Sequence, residues 1–417
     1  MGSLVSISQN SRKLVVYKSR ILNYFKNIYI LYYTKYNRVI MKKILFLILF
    51  TTHLSVAQTV TIPGIESISS TNMLKTVEFL ASEKLQGRLS GSPGYYEAAE
   101  YMKNEFQKIG LKPAFGNDYY QYFYTEYNEI TSAGFTVFDN SGNPRIYELG
   151  KDFVCRGFTG SGEIKSEVVF CGYGEALGDY NDYQNTDVRN KIVMFFKQDA
   201  SFLKQESFGG ATLRHRVNLA VKNGAKGIIL VSKPNDRNPQ KPIGSVMDGD
   251  GEFQPNCPVI HIDLQTADEI LKEKKYKIKN LQSVIDSTEH PFSFNTGVTA
   301  EIEIKAQYEK ERKTMNIAGI YEGTDDSLKN EYIVIGAHLD HVGGQAGKIY
   351  FPGANDNASG SAGVLEIAKT FAEKGIKTKR SIIFVLFSNE ESGLQGAKQF
   401  INNPPLPLTP DPQPLIP

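Results

Sequence analysis

The chain has 417 residues, 41% of them hydrophobic and 22% charged, with a formal net charge of +2. This length has room for two or three buried cores, and the composition excludes a disordered chain. The near balance of charge excludes the electrostatic footprint of a nucleic-acid or anionic-membrane binder.

Residues 1–40 hold seven Lys or Arg and no acid. Met41-Lys42-Lys43 then precedes the apolar run Ile44 to Phe50, with Ser55-Val56-Ala57 ahead of Gln58. A basic start, a short apolar stretch and a small-x-small site form a secretory signal over 41–57. The expectation is a secreted or periplasmic protein whose true start is Met41, with residues 1–40 a non-native extension. The apolar run is too short to span a bilayer, so no stable membrane anchor is expected after cleavage.

Residues 71–86 read as a helix, with Leu74, Val77, Phe79, Leu80 and Leu85 on or near one face. The loop Gly87-Arg88-Leu89-Ser90-Gly91-Ser92-Pro93-Gly94 follows. Ala98, Ala99, Met102, Phe106 and Ile109 recur at helical spacing until Gly110 and Pro113 stop them. Between 130 and 300, strand-like runs (Glu167 to Cys171, Lys191 to Phe196, Gly227 to Val231, Val259 to Ile262) surround one helix, Arg214 to Asn223. His215, His261 and His290 stand apart from other metal-ligand residues and read as structural or surface histidines. Cys155, Cys171 and Cys257 are too scattered for a thiolate metal site and leave room for one disulfide or for buried free thiols.

From about residue 314 strands and helices alternate. Tyr332-Ile333-Val334-Ile335 reads as a strand buried on both faces, residues 360–374 as a helix, and Ser381 to Phe387 as a second buried strand. Strand, helix, strand implies a right-handed crossover between parallel neighbours. From Pro404 to Pro417 there are seven prolines in 14 residues, an irregular tail.

Three segments carry chemistry: Gly336-Ala337-His338-Leu339-Asp340-His341, Gly353-Ala354-Asn355-Asp356-Asn357-Ala358-Ser359-Gly360, and Ser388-Asn389-Glu390-Glu391-Ser392-Gly393. The first and third directly follow the two buried strands, which puts them at the carboxyl edge of a parallel sheet, where open α/β folds bind ligands. One imidazole and three carboxylates therefore meet in one crevice. Zinc takes that donor set, and a carboxylate can bridge two ions roughly 3.5–4 Å apart. Clustered acids without a cation would repel one another. Asp340, two residues from His338 in an extended chain, is placed to orient the imidazole. Of the adjacent glutamates, one can coordinate while the other handles protons.

In this order and spacing the three segments resemble the co-catalytic zinc aminopeptidases of metallopeptidase family 28. The resemblance implies two Zn2+ ions, with His338 a ligand to one, Asp356 the bridge, Glu390 the general base, Glu391 a ligand to the other, and Asp340 the acid behind the histidine. It implies a three-layer α/β sandwich on a mixed, largely parallel sheet. Leu80-Ala81-Ser82-Glu83 through Gly94 is similar to the N-terminal part of the same domain. Val169-Phe170-Cys171-Gly172-Tyr173-Gly174 and Asn223-Gly224-Ala225-Lys226-Gly227 are similar to an inserted, mainly-β protease-associated domain. The implied organisation is 66–135 peptidase, 136–300 inserted domain, 301–403 peptidase core with the metal motifs, and 404–417 irregular tail.

The family also needs a later Asp and a His near the end of the domain, and neither stands in its place here. His341, adjacent in sequence, would point away from His338. The expectation is two protein ligands per zinc, in a C-terminally truncated form that is inactive or impaired. The implied function is an exported exopeptidase removing N-terminal residues from peptide substrates. A glutaminyl-cyclase-like acyltransferase and a non-catalytic peptide-binding protein are the alternatives.

Overall fold

The computed structural model describes residues 64–203, 210–249 and 251–405. The proposed extension 1–40, the leader 41–57 and all but the first two residues of the Pro-rich tail lie outside the described residues. No helix among the described residues is long and apolar enough to cross a membrane.

Two helices open the described chain. In α1 (Ser70–Leu80) the Ser69 hydroxyl accepts from the Asn72 amide; in α2 (Pro93–Lys108) Ser92 caps Tyr95 in the same way, with proline in the first turn. The single helix expected over 71–86 is two pieces, because Ser82 turns extended and Glu83–Leu85 forms a separate short turn. Leu80 and Leu85 are buried as expected, whereas Leu74 is 57% exposed.

The strands are β1 (Tyr120–Phe138), β2 (Phe153–Cys155), β3 (Gly162–Cys171), β4 (Ile192–Phe196), β5 (Gly227–Val231), β6 (Val259–Ile262), β7 (Ser293–Tyr321), β8 (Tyr332–His338) and β9 (Ser381–Phe387). They join one curled, mixed sheet in the order β8-β9-β7-β3-β4-β5-β6-β2, with β1 paired to β7 off this path. β3 through β6 run parallel, as do β8 and β9; β7 is antiparallel to β9, β1 and β3.

The 29-residue β7 makes the sheet continuous. Its first part, Ser293 to Ile304, pairs with β3, and its last part, Ile317 to Tyr321, pairs with β9. The expected boundaries at 135/136 and 300/301 fall within β1 and β7. Separate apolar cores nevertheless form on either side. Phe135, Phe170, Phe196, Ile260 and Ile302 belong to one, beside β3 to β6; Leu80, Met102, Phe106, Leu339, Leu365 and Phe384 belong to another, beside β8 and β9.

β8 and β9 are joined through the helix Ser359–Glu373 as parallel neighbours in register, Tyr332 against Ser381 and His338 against Phe387. β9 is buried along almost its whole length, as expected. β8 is not: Ile333 and Val334 are 50% and 49% exposed. The apolar run was read as buried on both faces, but β8 ends the strand order and is bonded only to β9, so its side chains lack a neighbour on the outer side. All three cysteines are buried and free. His261 is buried beside the Ser232 hydroxyl at 3.0 Å, while His215 and His290 are exposed.

Candidate metal centre

Each functional side chain sits where a strand stops. His338 is the last residue of β8, and Glu390 and Glu391 follow β9 by three and four residues. Asp356 lies in a wide helical turn, Ala354–Ala358, that feeds the crossover helix; its own backbone is non-helical, and the Asp356–Asn357 peptide is cis. The Ser361 hydroxyl donates to the His338 carbonyl at 2.8 Å, tying the start of that helix to the end of β8.

A buried arginine joins the first two segments. Arg88, fully buried, donates from Nε to the Leu339 carbonyl at 2.8 Å, from Nη1 to Pro352 at 2.8 Å and to Leu80, and from Nη2 to Gly353 at 3.0 Å. Burial lowers its pKa to about 10, against the pull of Asp340 and Glu391, and it remains a cation at neutral pH. The third segment is pinned from below. Ser90, Thr314 and Ser388 hydroxyls form a buried triangle at 2.5, 2.7 and 3.0 Å, and Asn316 accepts from the Ser388 amide at 2.9 Å. Asn389 takes a left-handed conformation (φ 58°) and donates to Thr125 at 2.6 Å, which turns the two glutamates into the crevice.

His338, Asp356 and Glu391 each offer one ligand atom, and these atoms lie within 4.8 Å of one another. His338 Nε2 is 3.1 Å from Asp356 Oδ1 and 3.7 Å from Glu390 Oε2. His338 Nδ1 faces the Asp340 backbone carbonyl at 3.2 Å, which favours the proton on Nδ1 and leaves Nε2 free to bind a metal. An ion held by all three would have three protein ligands, the number a catalytic zinc site uses, and a carboxylate such as that of Asp356 can also be shared between two ions. Among the described residues this is the one group of three or more such donors.

Asp340 faces His338 Nδ1 with its carboxylate at 3.8 Å, and its Oδ1 accepts from the Glu390 amide at 3.2 Å. It therefore fixes the backbone of the glutamate pair, while its carbonyl orients the imidazole. Burial raises its carboxyl to about 7. Burial also raises Glu390; His338 opposes that shift, and Glu391 and Asp356 reinforce it. Such mutual repulsion is what a cation at the donor set would relieve.

The partners of His341 and Arg88 are not legible in the sequence. The His341 Nδ1 sits 2.6 Å from Glu391 Oε1. That contact spans 50 residues of chain and leaves no local signature. Arg88 stood in a breaker-rich loop that gave no sign of its four carbonyl partners. Beside Glu391 opens a cleft of about 760 Å³, lined by Tyr124, Glu126, Lys310 and Lys398 and, from the inserted part, by Met247, Asp248 and Gly249.

Residues 316–410 match the model of peptidase family M28, and residues 164–270 match the PA domain. An aminopeptidase of Pseudomonas aeruginosa is 24% identical over 334 residues, covering 79% of this chain and 53% of that protein. The chain thus spans about half the length of this relative. Among solved structures, a peptidase M28 precursor from Shewanella amazonensis aligns at a TM-score of 0.56 with 20% identity, covering 81% of this chain and 68% of the other. A zinc aminopeptidase from Bacillus subtilis aligns at 0.51 with 17% identity, covering 81% and 65%. These structural likenesses show the fold. The segment that holds His338, Asp356 and Glu391 thus matches the model of peptidase family M28, and a match to the PA domain lies ahead of it in the chain.

Proposed function

We propose that this chain carries the metal-dependent centre of an exported zinc aminopeptidase. The observation that carries the reading is that donor atoms of His338, Asp356 and Glu391 lie within 4.8 Å of one another, with Glu390 3.7 Å from the imidazole. The donor chemistry fits zinc: one neutral imidazole with its other nitrogen engaged, and two carboxylates. When bound, the ion supplies Lewis-acid polarisation and a lowered water pKa.

The protein's own groups do the rest. Glu390 is a general base beside the donors, half-shielded from solvent, with its affinity for a proton raised by burial. It takes the proton of the attacking water and delivers it to the leaving amine. Asp340 holds the Glu390 amide, His341 holds Glu391, and Arg88 ties together the loops bearing His338 and Asp356. Peptides enter by the cleft beside Glu391, one wall of which comes from the inserted PA domain, so that domain shapes access. Support for aminopeptidase action rather than another hydrolysis comes from the Pseudomonas relative and the Bacillus structure. Export rests on the leader pattern at 41–57.

Zinc held at this donor set and hydrolysis of N-terminal residues are expected. Zinc content after dialysis, measured by plasma mass spectrometry, tests the first point. Hydrolysis of aminoacyl p-nitroanilides tests the second. Glu390→Gln keeps the shape and removes the base, so it retains zinc and loses about 10²–10⁴-fold in kcat. Unchanged turnover in that variant, or undiminished zinc in His338→Ala, refutes the reading.

A further inference from the structure

A second cavity, of about 350 Å³, is lined by the charged and polar residues Arg156, Lys197, Gln198, Asp199, Gln240 and Asp248 together with the apolar Leu213. Asp248 also lines the cleft beside Glu391, so one residue borders both spaces.

Buried arginines elsewhere among the described residues each hold several acceptors, although the Nε atoms of Arg214 and Arg216 also lack a hydrogen-bond partner. Arg216 donates to the Tyr173 and Phe196 carbonyls at 2.8 Å and to that of Lys197 at 2.5 Å, and it pairs with Asp199 at 3.0 Å. Arg88 holds four carbonyls. Arg156 is different. Its side chain is 4% exposed, its Nε has no hydrogen-bond partner, and its one ion pair, to Asp248, is 3.6 Å long. That distance is too great for a hydrogen bond. Asp248 Oδ1 is also buried without a partner. Lys197 lines the same cavity with its ammonium on Gln240. Burial, with Arg156 as a second cation, pushes Lys197 down to about 7, and Asp248 opposes that shift.

A buried guanidinium without acceptors costs several kcal/mol and persists where something else supplies them. Two cations facing a cavity provide for a carboxylate, which a guanidinium holds through two parallel bonds. Asp248, 24% exposed at its side chain, gives the same cavity one acceptor for an ammonium. We infer that the Arg156–Lys197–Asp248 cavity binds a free α-amino acid, its carboxylate on the two cations and its ammonium on Asp248. Because Asp248 borders the cleft as well, occupancy is felt at the cleft wall. An aminopeptidase releases such a ligand, so the site acts as a product sensor. That last step rests on the proposed activity; the binding itself does not.

The test is calorimetric titration of the full chain, stripped of metal by chelator, with L-leucine, acetate and methylamine. Leucine binds, acetate binds at least tenfold more weakly, and methylamine gives no heat. Arg156→Met abolishes leucine binding and raises the melting temperature, because an unpaired buried charge is gone; a structural arginine would lower it. Lys197→Met weakens leucine binding at least fivefold with the fold retained, and it serves as the second probe. Glu390→Gln binds leucine like the parent, which separates this site from peptidase action. Equal affinity for acetate and leucine, no leucine heat, leucine binding unchanged in Arg156→Met, or a lower melting temperature in that variant overturns the inference.

Discussion

Replacing Arg88 by methionine removes a guanidinium that four backbone carbonyls share, those of Leu80, Leu339, Pro352 and Gly353. Methionine fills most of the volume but donates nothing. A buried polar group left without its partner costs about 1–3 kcal/mol. If relaxation and water satisfy two of the four, the loss is roughly 2–6 kcal/mol. Relief from burying the cation itself offsets part of this, so the lower half of that range is expected. Against a total stability of about 5–15 kcal/mol, that is a large share. Leu339 follows His338 and Gly353 lies three residues before Asp356, so zinc affinity falls by at least about tenfold as the donors lose their mutual placement. Urea unfolding followed by circular dichroism reads the first quantity, and competition with a chromophoric chelator reads the second. A variant within 1 kcal/mol of the parent by the same extrapolation, and within twofold in zinc affinity, refutes the reasoning.

His341→Gln keeps polarity but moves the partner of Glu391, and zinc affinity drops about 10–100-fold with unchanged circular dichroism. Competition titration checks it. Gly353→Ala is destabilising and weakens zinc binding, since Gly353 sits at φ 58° and a Cβ there would lie 2.6 Å from the His341 ring and 2.7 Å from the Asp356 carbonyl. Thermal melts with and without zinc measure both effects. Burial pushes the Cys155 and Cys257 thiols up to about 12 and raises Cys171 well above the usual thiol value, so none reacts with a disulfide reagent at pH 8 in the native protein. All three react once guanidinium unfolds the chain, and native labelling of any one contradicts the burial.

The sequence by itself determined the elements whose side chains answer to one environment. Gly227–Val231, Val259–Ile262 and Ser381–Phe387 are continuous apolar runs buried on both faces, and their bounds agree with the runs read from the residues. Three motifs at successive loop positions were enough to name the chemistry, because strand ends in a parallel pair necessarily meet at one edge. Tertiary structure decided everything that depends on which neighbour a segment receives. β8 has the same kind of apolar run as β9 yet stands half-exposed, because strand order is not a local property. The 29-residue β7 carries the charged stretch Glu309 to Lys313 and serves two cores in turn, so no single periodicity marks it. The resemblance implied His338, Asp356 and Glu391 as metal ligands, and side-chain directions, set by Arg88, Asp340 and Asn389 from distant elements, bring their donor atoms within 4.8 Å of one another. Donor identity is written in the chain; donor convergence comes from contacts hundreds of residues apart.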